Sequence, residues 1–485
     1  MRVSAVTMKL LALALVVGLA DAFWRMPCRS RSGLARIDPL VSFNAVSDHA
    51  HAIHGSDGFS IDAGYDALMA GDCTSCGVSQ DKSAYWTPAV YFQGSDGKFT
   101  LVEQVGGMLA YYLLYPNADN TSLSGFPKGF QMIAGDTNQR NFSYPVPDLP
   151  KSEWSGNMTD QAFLRQAALG FNCLNYATTP EGSLYRHFLP DKAYLDANCV
   201  DGVRFELMFP SCWNGVDADS PNHKDHVAYP SEVMTGDCPT GFETRLVSLF
   251  YETIWDTYAF KGQAGQFVIA NGDLTGYGYH GDFMMGWDDS FLQEAVDQCT
   301  NLSGQIQDCP LFTIQDESVY GNCNITLPSA LDSEDVVGPM ATLPGNPPIE
   351  SGPAYAGGAG TGGSGNSGSA PPTTSAVAAN PVPTLSHSPG VVLASSDTFV
   401  PGAVFEAVTD VGAAPSTSSS AIVTAAPPVS SDTQSYFSTS YSTSSQIVNE
   451  VLWIEELVTV TASTTATMTL PARKRHLHQH RQRGI

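Results

Sequence analysis

The sequence predicts a mainly β protein: one disulfide-bonded domain of β-sandwich or jelly-roll type, with a few short helices and a disordered tail. Three observations carry that prediction. Short stretches of branched and aromatic residues alternate with clusters of Gly, Pro, Asn and Asp. All ten cysteines, an even number, fall between Cys28 and Cys323. From about residue 337 the chain turns to Gly, Ser, Thr, Pro and Ala, a composition that cannot bury enough apolar surface to offset its chain entropy.

Residues 1–22 have the three parts of a secretory signal peptide: a start with Arg2 and Lys9, an apolar run over 10–19, and small residues at Ala20 and Ala22. The apolar run is shorter than the roughly 20 residues that span a bilayer. Export agrees with the cysteine count and with five Asn-x-Ser/Thr sequons, at Asn120, Asn141, Asn157, Asn301 and Asn324. The folded domain is expected over 23–330, a linker over 337–445, and a short apolar segment with a basic end over 446–485. That apolar segment, 448–460, suggests either a docking strand or a processing remnant. A basic terminus excludes a glycolipid anchor signal, which ends apolar.

Within the domain, strands are expected over 85–92, 100–105, 109–115, 203–209, 246–260 and 266–270. The stretch 203–209 alternates, placing Arg204, Glu206 and Met208 on one face and Phe205, Leu207 and Phe209 on the other. Helices are expected over 160–169 and 290–298, the second opening on Ser290 with Gln293 in capping-box form. Cys73 and Cys76 form a CxxC. In an exported chain without a thioredoxin-like context this reads as structural disulfide chemistry. Cys173 with Cys199 and Cys212 with Cys238 are candidate pairs by proximity in sequence.

The net charge is −25, from 23 basic and 48 acidic residues. Nucleic acid and anionic membrane surfaces need a basic footprint and are excluded as partners. Neutral substrates and acidic working conditions fit better.

The functional signal is the clustering of histidine in a histidine-poor domain. His49, His51 and His54 form one group, with His49 and His51 about 7 Å apart on the same side of an extended segment. His223 and His226 form a second group. His280 lies in a third, flanked by Gly278 and Gly281, with Asp282 two residues on and Asp273 upstream. Histidine beside carboxylate is an acid/base pair, and flanking glycine lets backbone approach a ligand. His280, Asp282 and Asp273 are therefore the catalytic candidates. His49, His51, His223, His226, Trp213, Tyr277 and Trp287 are the substrate-binding candidates. Trp and Tyr supply stacking faces for sugars, although more than half of the aromatics are expected in the core. The same His49, His51, His223 and His226, drawing on one site with His280, would alternatively hold a divalent metal as cofactor. There is no G-x-S-x-G elbow, HExxH pair or phosphate-binding loop.

These motifs, in order, resemble a large fungal secreted family catalogued only as a domain of unknown function. The resemblance runs from Asp38-Pro39-Leu40-Val41 and His49-x-His51-x-x-His54-Gly55 through Phe209-Pro210-Ser211-Cys212-Trp213 and His223-Lys224-Asp225-His226 to Gly276-Tyr277-Gly278-Tyr279-His280-Gly281-Asp282-Phe283. Many members carry a histidine just after the Cys-Pro pair. Here Cys238-Pro239 leads instead into Thr240 and Gly241. The resemblance implies export and domain extent but supplies no activity.

The expectation is a secreted carbohydrate-active enzyme, a hydrolase or lyase, acting on cell-wall polysaccharide through a His/Asp-rich cleft. Glycoside hydrolysis would need a carboxylate pair, with Asp282 joined by Asp48, Asp225 or Asp273. The alternatives are a metal-binding secreted protein and a non-catalytic cell-wall glycoprotein.

Overall fold

A computed structural model describes residues 22–117, 122–357, 438–444 and 447–453. In chain order the strands are β1 Phe23–Cys28, β2 Gly33–Ala35, β3 His51–Gly55, β4 Ala84–Pro88, β5 Val90–Gly94, β6 Phe99–Leu101, β7 Gln104–Leu113 and β8 Gln131–Gly135. They continue as β9 Leu169–Cys173, β10 Val203–Met208, β11 Cys212–Trp213, β12 Val227–Ala228, β13 Thr244–Arg245, β14 Ser248–Trp255, β15 Gly265–Ile269 and β16 His280–Met284. One five-stranded sheet has the order β1-β7-β14-β10-β9 and another the order β2-β3-β4-β16-β8. Their pairings are antiparallel throughout.

The two sheets share a core that includes Tyr85, Tyr112, Phe205, Leu207, Tyr251 and Phe283. Tyr85 of β4 meets Tyr251 of β14 edge-on, ring centroids 5.7 Å apart. Gly281 lies where the sheets pack tightly, and an added Cβ there would stand 2.5 Å from Leu207 Cδ2 and 3.4 Å from Tyr251 Cδ2. The glycine between His280 and Asp282 thus serves sheet packing, not the ligand approach that the motif suggested. The other face of the second sheet is covered too. Ile37, Leu40 and Phe59 from the 36–63 region pack on Ile53, Trp86, Ile133 and Met284 in a smaller core.

The expected strand over 85–92 is two strands in different sheets. Pro88, which lacks an N–H, ends β4, and β5 pairs instead with β15 and β6. The alternation over 203–209 holds, but both faces are covered. Glu206 is fully buried because Asn172 and the backbone of Leu184 cap it. The helices α2 Gln161–Ala167 and α4 Asp289–Gln298 fall where expected. The cap of α4 is Asp288, not Ser290. Asp288 Oδ1 accepts from the Phe291 N–H, and Gln293 accepts from Gly125 instead. The short helices α1 Tyr65–Ala70, α3 Lys192–Asn198 and α5 Glu317–Tyr320 carry no strong sequence signal.

The segment 337–357, assigned from composition to the linker, packs on the domain. The Leu101 N–H donates to the Val337 carbonyl, the Glu350 N–H to Gly272 and the Ala356 N–H to Asn138, at 2.8, 2.9 and 2.8 Å. Backbone hydrogen bonding holds this strap, with Leu343 as its buried anchor. Composition does not register that kind of order. Most of the expected linker lies outside the described residues. In a separate unit, Ser438–Ser444 pairs with Ile447–Trp453 as an antiparallel hairpin, so part of the apolar segment is a strand.

All ten cysteines pair, as Cys28–Cys76, Cys73–Cys323, Cys173–Cys199, Cys212–Cys238 and Cys299–Cys309. The CxxC cysteines bond to distant partners, a structural role. Among the described residues no helix is long and apolar enough to cross a membrane. Asn141, Asn157, Asn301 and Asn324 are exposed, and Asn120 lies outside the described residues.

Candidate metal centre

β3 and β16 are separated by β4, and Pro88 of β4 stands opposite His51. His51 on β3 and His280 and Asp282 on β16 carry their side chains to the face away from the main core, as the strand alternation requires. His49, just before β3, joins them. The ring centroids of His49 and His51 are 4.3 Å apart, those of His49 and His280 5.1 Å, and those of His51 and His280 6.1 Å. His49 Nε2 is 3.2 Å from His280 Nε2. One ring nitrogen from each of the three histidines lies within 4.8 Å of the others.

His280 Nδ1 is 2.9 Å from the Gly278 carbonyl, which can only accept, so Nδ1 carries the proton and Nε2 presents its lone pair to the cluster. Neither ring nitrogen of His51 reaches a hydrogen-bond partner, although the Ile37 backbone lies near. Burial holds all three rings below the ordinary histidine range. His49 and His51 are lowered well below it, with the neighbouring rings adding to the effect, and His280 falls to about 4. The three are therefore neutral at pH 7, the form that ligates metal.

The other candidates divide. His54 points to the opposite face of β3, where its Nε2 is 3.3 Å from Gln104 Nε2. His223 is consumed by structure. Its Nδ1 is 2.7 Å from Asp219 Oδ1 and its Nε2 donates to the Leu40 carbonyl at 3.0 Å. Asp38 in turn accepts from the N–H groups of Leu40 and Val41. The Asp38-Pro39-Leu40-Val41 motif is thereby a turn that docks the His223 loop. His226 is buried, with Nδ1 2.9 Å from Ser220 Oγ and its ring edge-on to Phe130. Neither His223 nor His226 joins the three-histidine group.

Asp273 is also engaged by structure. It accepts from the Thr275 N–H, the Thr275 hydroxyl and the Gly278 N–H, and it pairs with Arg140 at 3.5 Å. Its effect on His280 runs through the loop whose Gly278 carbonyl it helps to fix. Asp282 differs, since its Oδ2 is buried with no hydrogen-bond partner. Burial, with Asp38 nearby, raises its carboxyl well above the usual range, and Lys224 opposes that. The sequence offered Asp48 and Asp225 as its companions. Both are exposed, and the buried neighbour is Asp38, which stood in a sequence motif but not among the candidate carboxylates.

Trp287 is no groove wall. It is fully buried, and its indole N–H donates to the Tyr112 hydroxyl. Tyr277 is buried against Phe142, and Trp213 is half-buried with its indole bonded to the Asp217 carbonyl.

The model of a domain of unknown function, DUF1996, matches residues 38–287. The chain belongs to that family. His49, His51, His280 and Asp282 all lie within the DUF1996 span, whereas β1, Cys323 and the strap over 337–357 lie outside it. No curated protein and no solved structure matches the chain.

Proposed function

We propose that this DUF1996 protein binds a divalent metal ion through His49, His51 and His280. The observation that carries the reading is His51, buried beside two other imidazoles with both nitrogens unpartnered. An unmet buried hydrogen-bonding group costs about 1–3 kcal/mol, and a metal ligated there removes that cost. The His49–His280 spacing agrees. Two nitrogens bound tetrahedrally at 2.0–2.1 Å stand about 3.3 Å apart, against 3.2 Å between these Nε2 atoms. A simple hydrogen bond from His49 to His280 would satisfy those two rings but leave His51 orphaned. An all-imidazole set suits zinc or copper.

Asp282 supports a second reading built on the first. Three protein ligands leave a position for water or substrate, the pattern of catalytic zinc sites. A buried carboxyl on the same strand face, with its Oδ2 unpartnered, could take a proton there. In that reading the chain is a secreted fungal glycoprotein, released from a signal peptide, whose metal centre cleaves cell-wall polysaccharide as a hydrolase or lyase. The exposed sequons and the full disulfide set support export.

The test is metal content by mass spectrometry of the purified chain, with zinc and copper titrations of the natural chain and of His51→Ala. One ion per chain, lost in the variant, is the expected result. A natural chain that takes up neither metal at micromolar concentration would sink the metal reading. Oligosaccharide release from a polysaccharide panel then separates enzyme from binding protein, and no release moves the weight to a non-catalytic wall glycoprotein.

A further inference from the structure

Sheet pairing places two of the three histidines. His51 opens β3 and His280 opens β16, so the ladder fixes both. His49 stands two residues before β3, outside that ladder. Its 3.2 Å approach to His280 rests on whatever holds the turn before β3.

That turn is gripped by the C-terminal end of the domain. Arg36 donates to the Ser47 carbonyl at 2.7 Å, and Glu334 pairs with Arg36 at 2.7 Å. Gly345 of the strap then lies directly on Asp48. Its φ is +80°, and a Cβ there would collide with the Asp48 carbonyl and stand 3.1 Å from Arg36 Cδ. That carbonyl belongs to the peptide bond that joins Asp48 to His49.

The strap continues to the loops around His280. An added Cβ at Gly272 would collide with the Pro348 carbonyl, and the Glu350 N–H donates to the Gly272 carbonyl at 2.9 Å. Gly352 lies equally close to the Arg140 carbonyl. The Tyr355 hydroxyl donates to Asp136 at 2.9 Å, one residue beyond Gly135, the register partner of His280. One short segment thus touches in turn the chain entering β3, the loop entering β16 and the chain leaving β8, all at the histidine end of the second sheet.

We infer that the strap is a working part of the metal centre. Gly345 holds the Asp48–His49 peptide and Tyr355 holds the exit of β8, and together they set the distance between His49 and His280. Both are positioning residues for the metal, and the functional unit reaches past residue 287, where the family match ends. The inference rests on the metal reading for what the clamp serves, and the clamp itself is tested apart from it.

The experiment uses the full chain with Gly345→Ala, and with Gly338→Ala as its control. Gly338 lies in the same strap at φ +85°, but a Cβ there meets Phe99 of β6, in a different sheet. Both changes strain the backbone in the same way, and only the first bears on His49. Calorimetric Zn²⁺ titration should show one ion per natural chain, an affinity weaker by about tenfold or more in Gly345→Ala, and no change in Gly338→Ala. Thermal midpoints of the metal-free variants measure the strain they share. Carbethoxylation of the metal-free protein by diethyl pyrocarbonate, located by fragment mass spectrometry, should rise at His49 in Gly345→Ala alone, with His54 unchanged. If Gly345→Ala does not fold, Tyr355→Phe, which leaves the backbone alone, carries the same expectation. Natural zinc affinity in Gly345→Ala, or an equal loss in both variants, overturns the inference. A natural chain that binds no zinc, but whose His49 is exposed by Gly345→Ala alone, keeps the clamp and discards the metal. No zinc and uniform labelling discards both.

Discussion

His280 donates its Nδ1 proton to the carbonyl oxygen of Gly278 at 2.9 Å, and that contact aims its other nitrogen at His49. The same carbonyl accepts from Asn271 Nδ2 at 2.9 Å, and the loop that presents it is held by Asp273. A buried hydrogen-bond chain thus sets the tautomer of one candidate ligand.

Asn271→Leu should therefore weaken metal binding without removing a ligand. Outer partners of metal ligands are worth about 10–100-fold in affinity. Calorimetric zinc titration of the variant checks this, and an unchanged Kd would show that the loop holds its place without the amide.

Replacing His51 by Ala should lower metal affinity by more than that, beyond about 100-fold. His223→Asn should leave the stoichiometry intact, because both His223 nitrogens are taken by Asp219 and Leu40. Reversal of these two results would relocate the site to the His223 loop.

Acid should destabilise the metal-free domain. His54 is buried, and burial, with the charge of Arg31, lowers its pKa from 6.5 to about 3. Above pH 6.5 the ring is neutral whether folded or unfolded and costs nothing. Below it the unfolded chain takes up a proton that the folded chain refuses. Stability then falls by about 1.4 kcal/mol per pH unit, down to about pH 3. Thermal midpoints at pH 7, 6, 5 and 4 should drop more steeply for the natural chain than for His54→Gln. Parallel curves would mean that His54 is protonated when folded.

Arg204→Ala should destabilise the first sheet strongly. Glu206 and Glu252 are register partners on β10 and β14, both buried, and Arg204 bonds to Glu206 and pairs with Glu252 at 3.4 Å. Removing the cation leaves two carboxylates facing each other, with Glu206 already raised to about 7 by burial. A cost of about 3–5 kcal/mol is expected from urea unfolding at pH 7, shrinking as pH falls and one carboxylate protonates. A loss below about 1 kcal/mol would show that Tyr111 and Asn172 hold the pair without it.

The β class was legible because it is written locally, in short aromatic stretches bounded by Gly and Pro. Strand limits were less so. Pro88 marks the end of β4, but the change of sheet there is not written locally, and only the pairing of β5 with β15 shows it. The histidine groups were visible, but not which would meet. His49 and His280 come together through sheet order, a property of pairing 231 residues apart. His223 looked equivalent in sequence and was withdrawn by Asp219, four residues upstream. Trp287 shows the limit of counting aromatics, because its place in the core depends on Tyr112 and Phe312.

The bond between Cys73 and Cys323 joins positions 250 residues apart. A single protease cut anywhere from residue 74 to 322 therefore leaves both pieces linked. Such a nicked molecule would run as one band on a gel without reductant and as two with it. Wear in an enzyme-rich environment would accumulate unseen, with the pieces still in register around the histidines. Only reduction would let the halves part.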